Sequence, residues 1–472
     1  MLTRAAPPLH LASAQEAAQA IRDGATDART LTRLFLDRIE RGVGLGAFTW
    51  VATQRALALA DAADRLLAGG VTLGPWHGVP VVIKDSVAWE GTPMLGGSRS
   101  REGIVSERSS TIVRKLIAQG MVVLGKTAMT EFAFGLSGQN PTCGTARNPW
   151  DARQLRAPGG SSSGAGVAVA AGLAPIAVGG DSGGSVRAPA LMNHLVGYKP
   201  SSGLISRAEC LPLSHTLDVM GPIARTVADA RILAALLSGP DPDDPSTLAP
   251  PGAGPARRAA SRRLAVLADD ALPAPLQPAA AAEWRGARDR IARAGWTLES
   301  WTPPAALAFA ALGRDNSTVL SYEAFRLYGS IAADETQPLW SVIRARIRAG
   351  GDVTASQYQS ALERRAQAMA AFAEAMAGYD GLLLPGSDQA AQPLDPDDVR
   401  HAGLGAFLRP ANFLGAAAIG LPSGRDPDGM PLGIQLLAPS GDDRHLLDVA
   451  EELERALAAG RPTPDLTPWG LD

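Results

Sequence analysis

Residues 157–190 read APGGSSSGAGVAVAAGLAPIAVGGDSGGSVRAPA. Within them, Gly164–Gly180 is a run of 17 residues without a charge, at the lower limit for a membrane span. It is rich in alanine and glycine, has Pro175 in its middle and is flanked by serine motifs. A buried helix over about 163–172 followed by a buried strand over about 175–179 fits this better than a span. Two loops rich in Gly and Ser therefore bracket a buried helix–strand unit, and the question is whether that unit belongs to a layered α/β sheet.

Outward from this segment the alternation continues. Upstream, Ser13 and Glu16 form a capping box that opens a helix through about Arg22. Further helices are expected over 29–41 and 53–68. A strand follows in GVPVVIKD (78–85), ending in Lys84 and Asp85, then a helix over 110–119 and the strand MVVLG (121–125). Between about 240 and 278 the texture turns to Pro, Ala, Gly and Arg, as in a surface connection. RRLAVLAD, a helix and WTLES then read as a β-α-β run of the same sheet. Helices fill about 315–378, strands are expected at 381–386 and 432–438, and a helix over 443–459 closes the chain. This order predicts an α/β fold. The chain is expected to be one domain, with N-terminal helices to 70, a core over 71–235, the 240–278 connection and a remainder over 279–472.

Bulk properties narrow the function. The chain has 472 residues, 46% hydrophobic and 19% charged, as in a globular protein. Its net charge of −3 provides no basic field for phosphates, so nucleic acid is not expected among its partners. Two cysteines, Cys143 and Cys210, exclude a disulfide scaffold. The six histidines are scattered without an HxxxH pair, and no metal or other cofactor is expected. The N-terminus lacks an apolar signal region, so a cytoplasmic protein without a membrane anchor is expected.

Three short motifs carry chemistry elsewhere and are weak here. GMVVLGKT (120–127) matches the P-loop expression, but its interior residues favour a strand over a phosphate-cradling loop. GSSSG (160–164) matches a nucleophile elbow around Ser162, yet loop-like residues precede it where a strand is required. GDSGG (180–184) imitates the surroundings of a trypsin-like nucleophile and would nominate Ser182. That reading needs an upstream His and Asp in an all-β chain, and only His10 and His77 lie upstream. A lysine is the alternative proton acceptor. Lys84 ends an apolar strand, where desolvation favours its neutral form; taken alone, a strand-end lysine followed by Asp85 equally fits a structural ion pair.

HGVPVVIKD (77–85), residues 157–190 and VGYKPSSGLIS (196–206) together resemble the amidase signature family. LGKTAMTEFAFG (124–135), RNPW (147–150), SHTLDVMGPIARTVADA (214–230) and GLPSGRDPDGMPLGIQLLAP (420–439) agree with it in order. The resemblance implies a single large domain with a central mixed β-sheet surrounded by helices. It implies a Ser–Ser–Lys triad, with Ser185 as nucleophile, Ser161 as bridging serine in a cis peptide, and Lys84 as base. Backbone N–H groups of Ser182, Gly183, Gly184 and Ser185 would form the oxyanion hole. Asp181, Arg187, Ser162 and Ser163 would support the loops. Ser182 and Ala165 depart mildly from the family pattern.

The resemblance leaves the substrate open. The main expectation is a hydrolase of a small amide, apolar or aryl, through an acyl-enzyme. Carbamate (urethane) or urea-derivative hydrolysis is one alternative. The other is the A subunit of a glutamyl-tRNA amidotransferase, weakened by GLSGQN (135–140) where a GSSTEN-like stretch is expected. Phe132, Phe134, Leu136 and the 209–217 segment are the expected pocket residues. A small-molecule amide or carbamate is expected as sole partner of a monomer or homodimer.

Overall fold

The computed structural model describes residues 7–248, 261–394, 402–457 and 461–472. Eleven strands form one sheet: β1 Phe48–Val51, β2 Pro80–Lys84, β3 Val122–Thr127, β4 Ala177–Asp181, β5 Val196–Lys199, β6 Val219–Ala224, β7 Arg263–Leu267, β8 Thr297–Trp301, β9 Leu382–Pro385, β10 Ala417–Arg425 and β11 Pro431–Ala438. Their order is β1-β3-β2-β4-β6-β5-β10-β11-β9-β7-β8. The sheet is mixed: β3-β2-β4 and β9-β7-β8 run parallel, and the remaining pairs are antiparallel. Helices surround it, so the chain is a single α/β domain around a large mixed sheet.

Local sequence explains the elements. Ser13 caps the helix Ala14–Arg22 in a reciprocal box with Glu16. The inner strands β2, β9 and most of β11 are continuous apolar runs, because helices cover the sheet on both faces. The helix Ser163–Ala170 is buried on every side, which its Gly, Ala and Val permit.

Some readings change. The strand expected over 121–125 runs on to Thr127: β1, which the sequence did not announce, pairs Val51 with Gly125 and Trp50 with Lys126. A Cβ on Gly125 would lie 2.4 Å from the Trp50 carbonyl oxygen, so this glycine serves close strand approach. Two inner strands carry prolines, Pro222 in β6 and Pro422 in β10, the latter at a register shift. The 240–278 stretch contains β7, and its residues 249–260 lie outside the described residues.

Parallel neighbours place the functional ends. Val82 and Ile83 of β2 pair with Ala177 and Val178 of β4, so Lys84 and the loop after Asp181 emerge side by side at one sheet edge. Antiparallel β6 brings Asp218 to the same place, through the pair Asp181–Val219.

Candidate active site

Lys84 is 1% exposed at the end of β2, and its Nζ donates to Ser161 Oγ at 2.7 Å and to the Gly180 carbonyl at 3.4 Å. Burial lowers its ammonium to about 8, against the opposing pull of the Asp218 and Asp181 carboxylates. Asp85 is not its partner. That carboxyl faces Lys126, and burial raises it to about 7.

Ser161 is fully buried and follows a cis peptide bond at Gly160-Ser161. The Thr130 N–H donates to the Ser161 carbonyl at 3.1 Å, and the Ser162 N–H to the Ser185 carbonyl at 3.2 Å. The structure thus gathers Lys84, Ser161 and Ser185, which stand far apart in the chain. Ser162 Oγ engages the backbone of Gly180, and Ser163 Oγ donates to the Ala128 carbonyl.

The loop after β4 is wound around one carboxylate. Asp181 accepts from the N–H groups of Gly184 at 2.6 Å and Val186 at 3.1 Å, and from Arg187 Nε at 3.1 Å. Arg187 and these backbone donors hold that carboxyl well below the usual range despite complete burial. The Gly184 N–H is therefore committed to Asp181, which counts against its expected place in an oxyanion hole. The Ser182 hydroxyl donates to Asp218, whose other oxygen accepts from Leu213 and Ser214 N–H.

Two residues that sequence reading missed complete the brace. Asn412 Oδ1 accepts from Arg187 Nη2 at 2.6 Å, while its Nδ2 donates to the Asp181 carbonyl at 2.8 Å. Gln435 Oε1 accepts from Arg187 Nη1 at 3.1 Å. The available signal was Gln435 itself, a polar residue inside the apolar run LGIQLLA.

The cleft beside Lys84 is lined by Ala133, Ser182, Arg207, Leu211, His215 and Met220, among others. The 209–217 segment thus forms one wall. Phe132 stands behind the cleft: its ring is 1% exposed and packs on Tyr328 at 4.3 Å between centroids. Phe132 and Ala133 both have left-handed backbone (φ 49° and 60°), uncommon for such residues. Phe134 and Leu136, also expected in the pocket, are not among the residues that line this cleft; each is partly buried against an apolar cluster.

The weak motifs resolve structurally. GMVVLGKT runs through β3 with Lys126 fully buried. Among the described residues, no group of three or more His, Cys, Asp or Glu is arranged to hold a metal ion, and no helix is long and apolar enough to cross a membrane.

The family model for Amidase matches residues 30–447. The A subunit of glutamyl-tRNA(Gln) amidotransferase from Acidothermus cellulolyticus is 35% identical over 478 residues, covering 94% of each chain. The A subunit of the same name from Thermobifida fusca is 35% identical over 480 residues, covering 94% of this chain and 95% of that one. A solved amidase structure superposes with a TM-score of 0.85 at 28% identity, over 95% of this chain and 100% of the other. A 6-aminohexanoate cyclic dimer hydrolase does so with a TM-score of 0.85 at 26% identity, over 98% and 100%. These relatives overturn the expectation of a small molecule as sole partner, without nucleic acid and without further subunits. By name the first two are components of an enzyme acting on a glutamyl-tRNA. The net charge of −3 describes only what this chain's own surface attracts, not what a partner protein holds.

Proposed function

Because the chain belongs to the Amidase family, we propose that it breaks an amide C–N bond through an acyl-enzyme on Ser185, as the A subunit of a cytoplasmic glutamyl-tRNA(Gln) amidotransferase. The observation that carries the chemistry is the 2.7 Å contact from a buried, easily neutralised Lys84 to Ser161. Neutral Lys84 takes the Ser161 proton as Ser161 takes that of Ser185. Ser185 attacks the carbonyl carbon, and the N–H groups of Ser182, Gly183 and Ser185 meet the developing oxyanion, a contribution of about 3 kcal/mol per donor. The proton returns to the leaving nitrogen, which departs as ammonia from a primary amide. Water then releases the acid by the same relay. The setting rests on relatives 35% identical over nearly the whole chain.

A second reading is a free-standing hydrolase of aryl amides or carbamates. It is favoured by the higher TM-score against a solved amidase, 0.85, than against the solved A subunit of a glutamyl-tRNA(Gln) amidotransferase, 0.78. The apolar residues Leu211, Leu213 and Met220 on the cleft wall fit it too.

One experiment separates them. Ammonia or amine release from primary amides, anilides and aryl carbamates is measured on the chain alone and with its partner subunits and tRNA. The amidotransferase reading expects marked stimulation by the partners; full activity alone supports the second reading. Undiminished turnover by Ser185→Ala in either setting would refute the mechanism.

A further inference from the structure

One helix holds two sides of the cleft. The helix Phe309–Ala333 carries Asn316 and Glu323 two turns apart on the same face, and both are buried. Asn316 Nδ2 donates to the Ser182 carbonyl at 3.3 Å, which ties the helix to the nucleophile loop. Glu323 reaches the opposite wall. Its carboxylate accepts from the Ser214 hydroxyl, from the Thr216 N–H at 3.2 Å and from the Thr216 hydroxyl at 2.5 Å. A further donor, the Tyr358 hydroxyl at 2.7 Å, comes from the helix Ala355–Ala375. Later in the first helix, the Tyr328 hydroxyl donates to the Pro212 carbonyl.

The chain between these anchors lines the cleft. Leu211, Leu213 and His215 face it, whereas the intervening Ser214 and Thr216 face Glu323. Within the segment, Ser214 Oγ accepts from the Leu217 N–H at 3.1 Å. Asp218 accepts from the Leu213 and Ser214 N–H groups at 2.8 and 3.0 Å, and from the Ser182 hydroxyl at 2.5 Å. A buried carboxylate is costly unless its oxygens accept hydrogen bonds. Moving the segment outward would strip the Ser214 and Thr216 donors from Glu323, so that cost fixes where the wall stands.

We propose that Glu323 is a positioning residue that sets the distance of the 211–218 wall from the nucleophile loop, and with it the acyl chains the cleft prefers. It touches no substrate and acts through Leu211 and Leu213. The inference rests on the acyl-enzyme reading above, in either of its settings, and adds a selectivity to it. Primary amides whose apolar chain reaches these leucines are favoured over shorter ones.

The test compares acetamide, butyramide and hexanamide on the wild-type protein, with its partner subunits where they are required. Each methylene packed on the wall should raise kcat/KM about 4-fold, the value of a buried CH2. Two of them give a climb of about 16-fold along the series. Glu323→Gln keeps the side-chain volume but has one acceptor oxygen for the same donors. Most of the climb should vanish in it, through a rise in KM that grows with chain length. Ser214→Ala, a milder change on the wall itself, should reduce the climb in the same direction. The double variant should add nothing to Glu323→Gln, since both remove one contact. A wild type without the climb, a Glu323→Gln protein that keeps it, or an equal loss on all three amides would overturn the proposal. Hydrogen exchange reads the wall without turnover. In Glu323→Gln, amides of 213–218 should exchange at least about tenfold faster, the value of a lost hydrogen bond to a charged group, while the helix Ala14–Arg22 stays as in wild type. Unaltered exchange would overturn the anchoring. Because Ser185→Ala tests the acyl-enzyme and exchange tests the wall, failure of one is told apart from failure of the other.

Discussion

Replacing Lys84 by methionine should stop the chemistry and make the protein more stable. The folded protein holds this ammonium at about 8 because it is completely buried, whereas an unfolded chain restores the ordinary 10.5. At pH 7 both states carry the proton, and the folded state bears the cost of a desolvated charge. The gap corresponds to roughly 3 kcal/mol. Methionine fills a similar space without a charge, but loses the hydrogen bond to Ser161, worth about 1 kcal/mol. A net gain of about 2 kcal/mol is expected at pH 7. Since the unfolded chain binds more protons than the folded one between 8 and 10.5, wild-type stability should rise with pH across that window. The variant, lacking the group, should not share this rise. The advantage should therefore shrink by about 2.5 kcal/mol between pH 7 and pH 10 and vanish. Urea unfolding of both proteins at the two pH values measures this directly. A variant less stable than wild type at pH 7, or a difference that ignores pH, would refute the placement of a desolvated lysine at this site.

Other expectations follow from the same geometry. For wild type, kcat/KM should climb about tenfold from pH 7 towards pH 9, levelling above about 8 as Lys84 loses its proton; Asp218→Asn removes a carboxylate that favours the charged lysine and should move this rise to lower pH. Asp181→Asn leaves Arg187 uncompensated in full burial and should cost about 3–5 kcal/mol in denaturant unfolding, with loss of activity. At Gly184, where φ is +124° and a Cβ would fall 2.6 Å from Leu408 Cβ, alanine must displace the nucleophile loop. Its kcat should drop on the order of 100-fold while circular dichroism stays native.

Much of this was legible in the chain. Capping at Ser13, the apolar runs of β2 and β9 and the Gly/Ser loops all report local physics, and local physics is what a sequence displays. The 17 uncharged residues after Ser163 read correctly as helix and strand because Pro175 breaks them. β1, β5, β6 and β10 were not legible. β1 and β5 have only four residues each, and β5, β6 and β10 are interrupted by glycine or proline; pairing with other strands holds them in place. At the site, Lys84 could be suspected from its strand, but its contact with Ser161 is a consequence of β2 lying beside β4. The Gly184 N–H could not be removed from the oxyanion hole by sequence, since its engagement depends on how Asp181 turns. Asn412 and Gln435 lie more than two hundred residues from the loop they hold, and no spacing rule connects them.

That brace bears on how the protein comes into being. Lys84, Ser161 and Ser185 are all synthesised within the first two-fifths of the chain, yet Arg187 finds Asn412 and Gln435 only near its end. Under the proposed mechanism, a fragment that stops before Asn412 would own all three reacting groups and lack the clamp that aligns them. Fragments truncated there are therefore expected to be silent rather than indiscriminate amide cleavers.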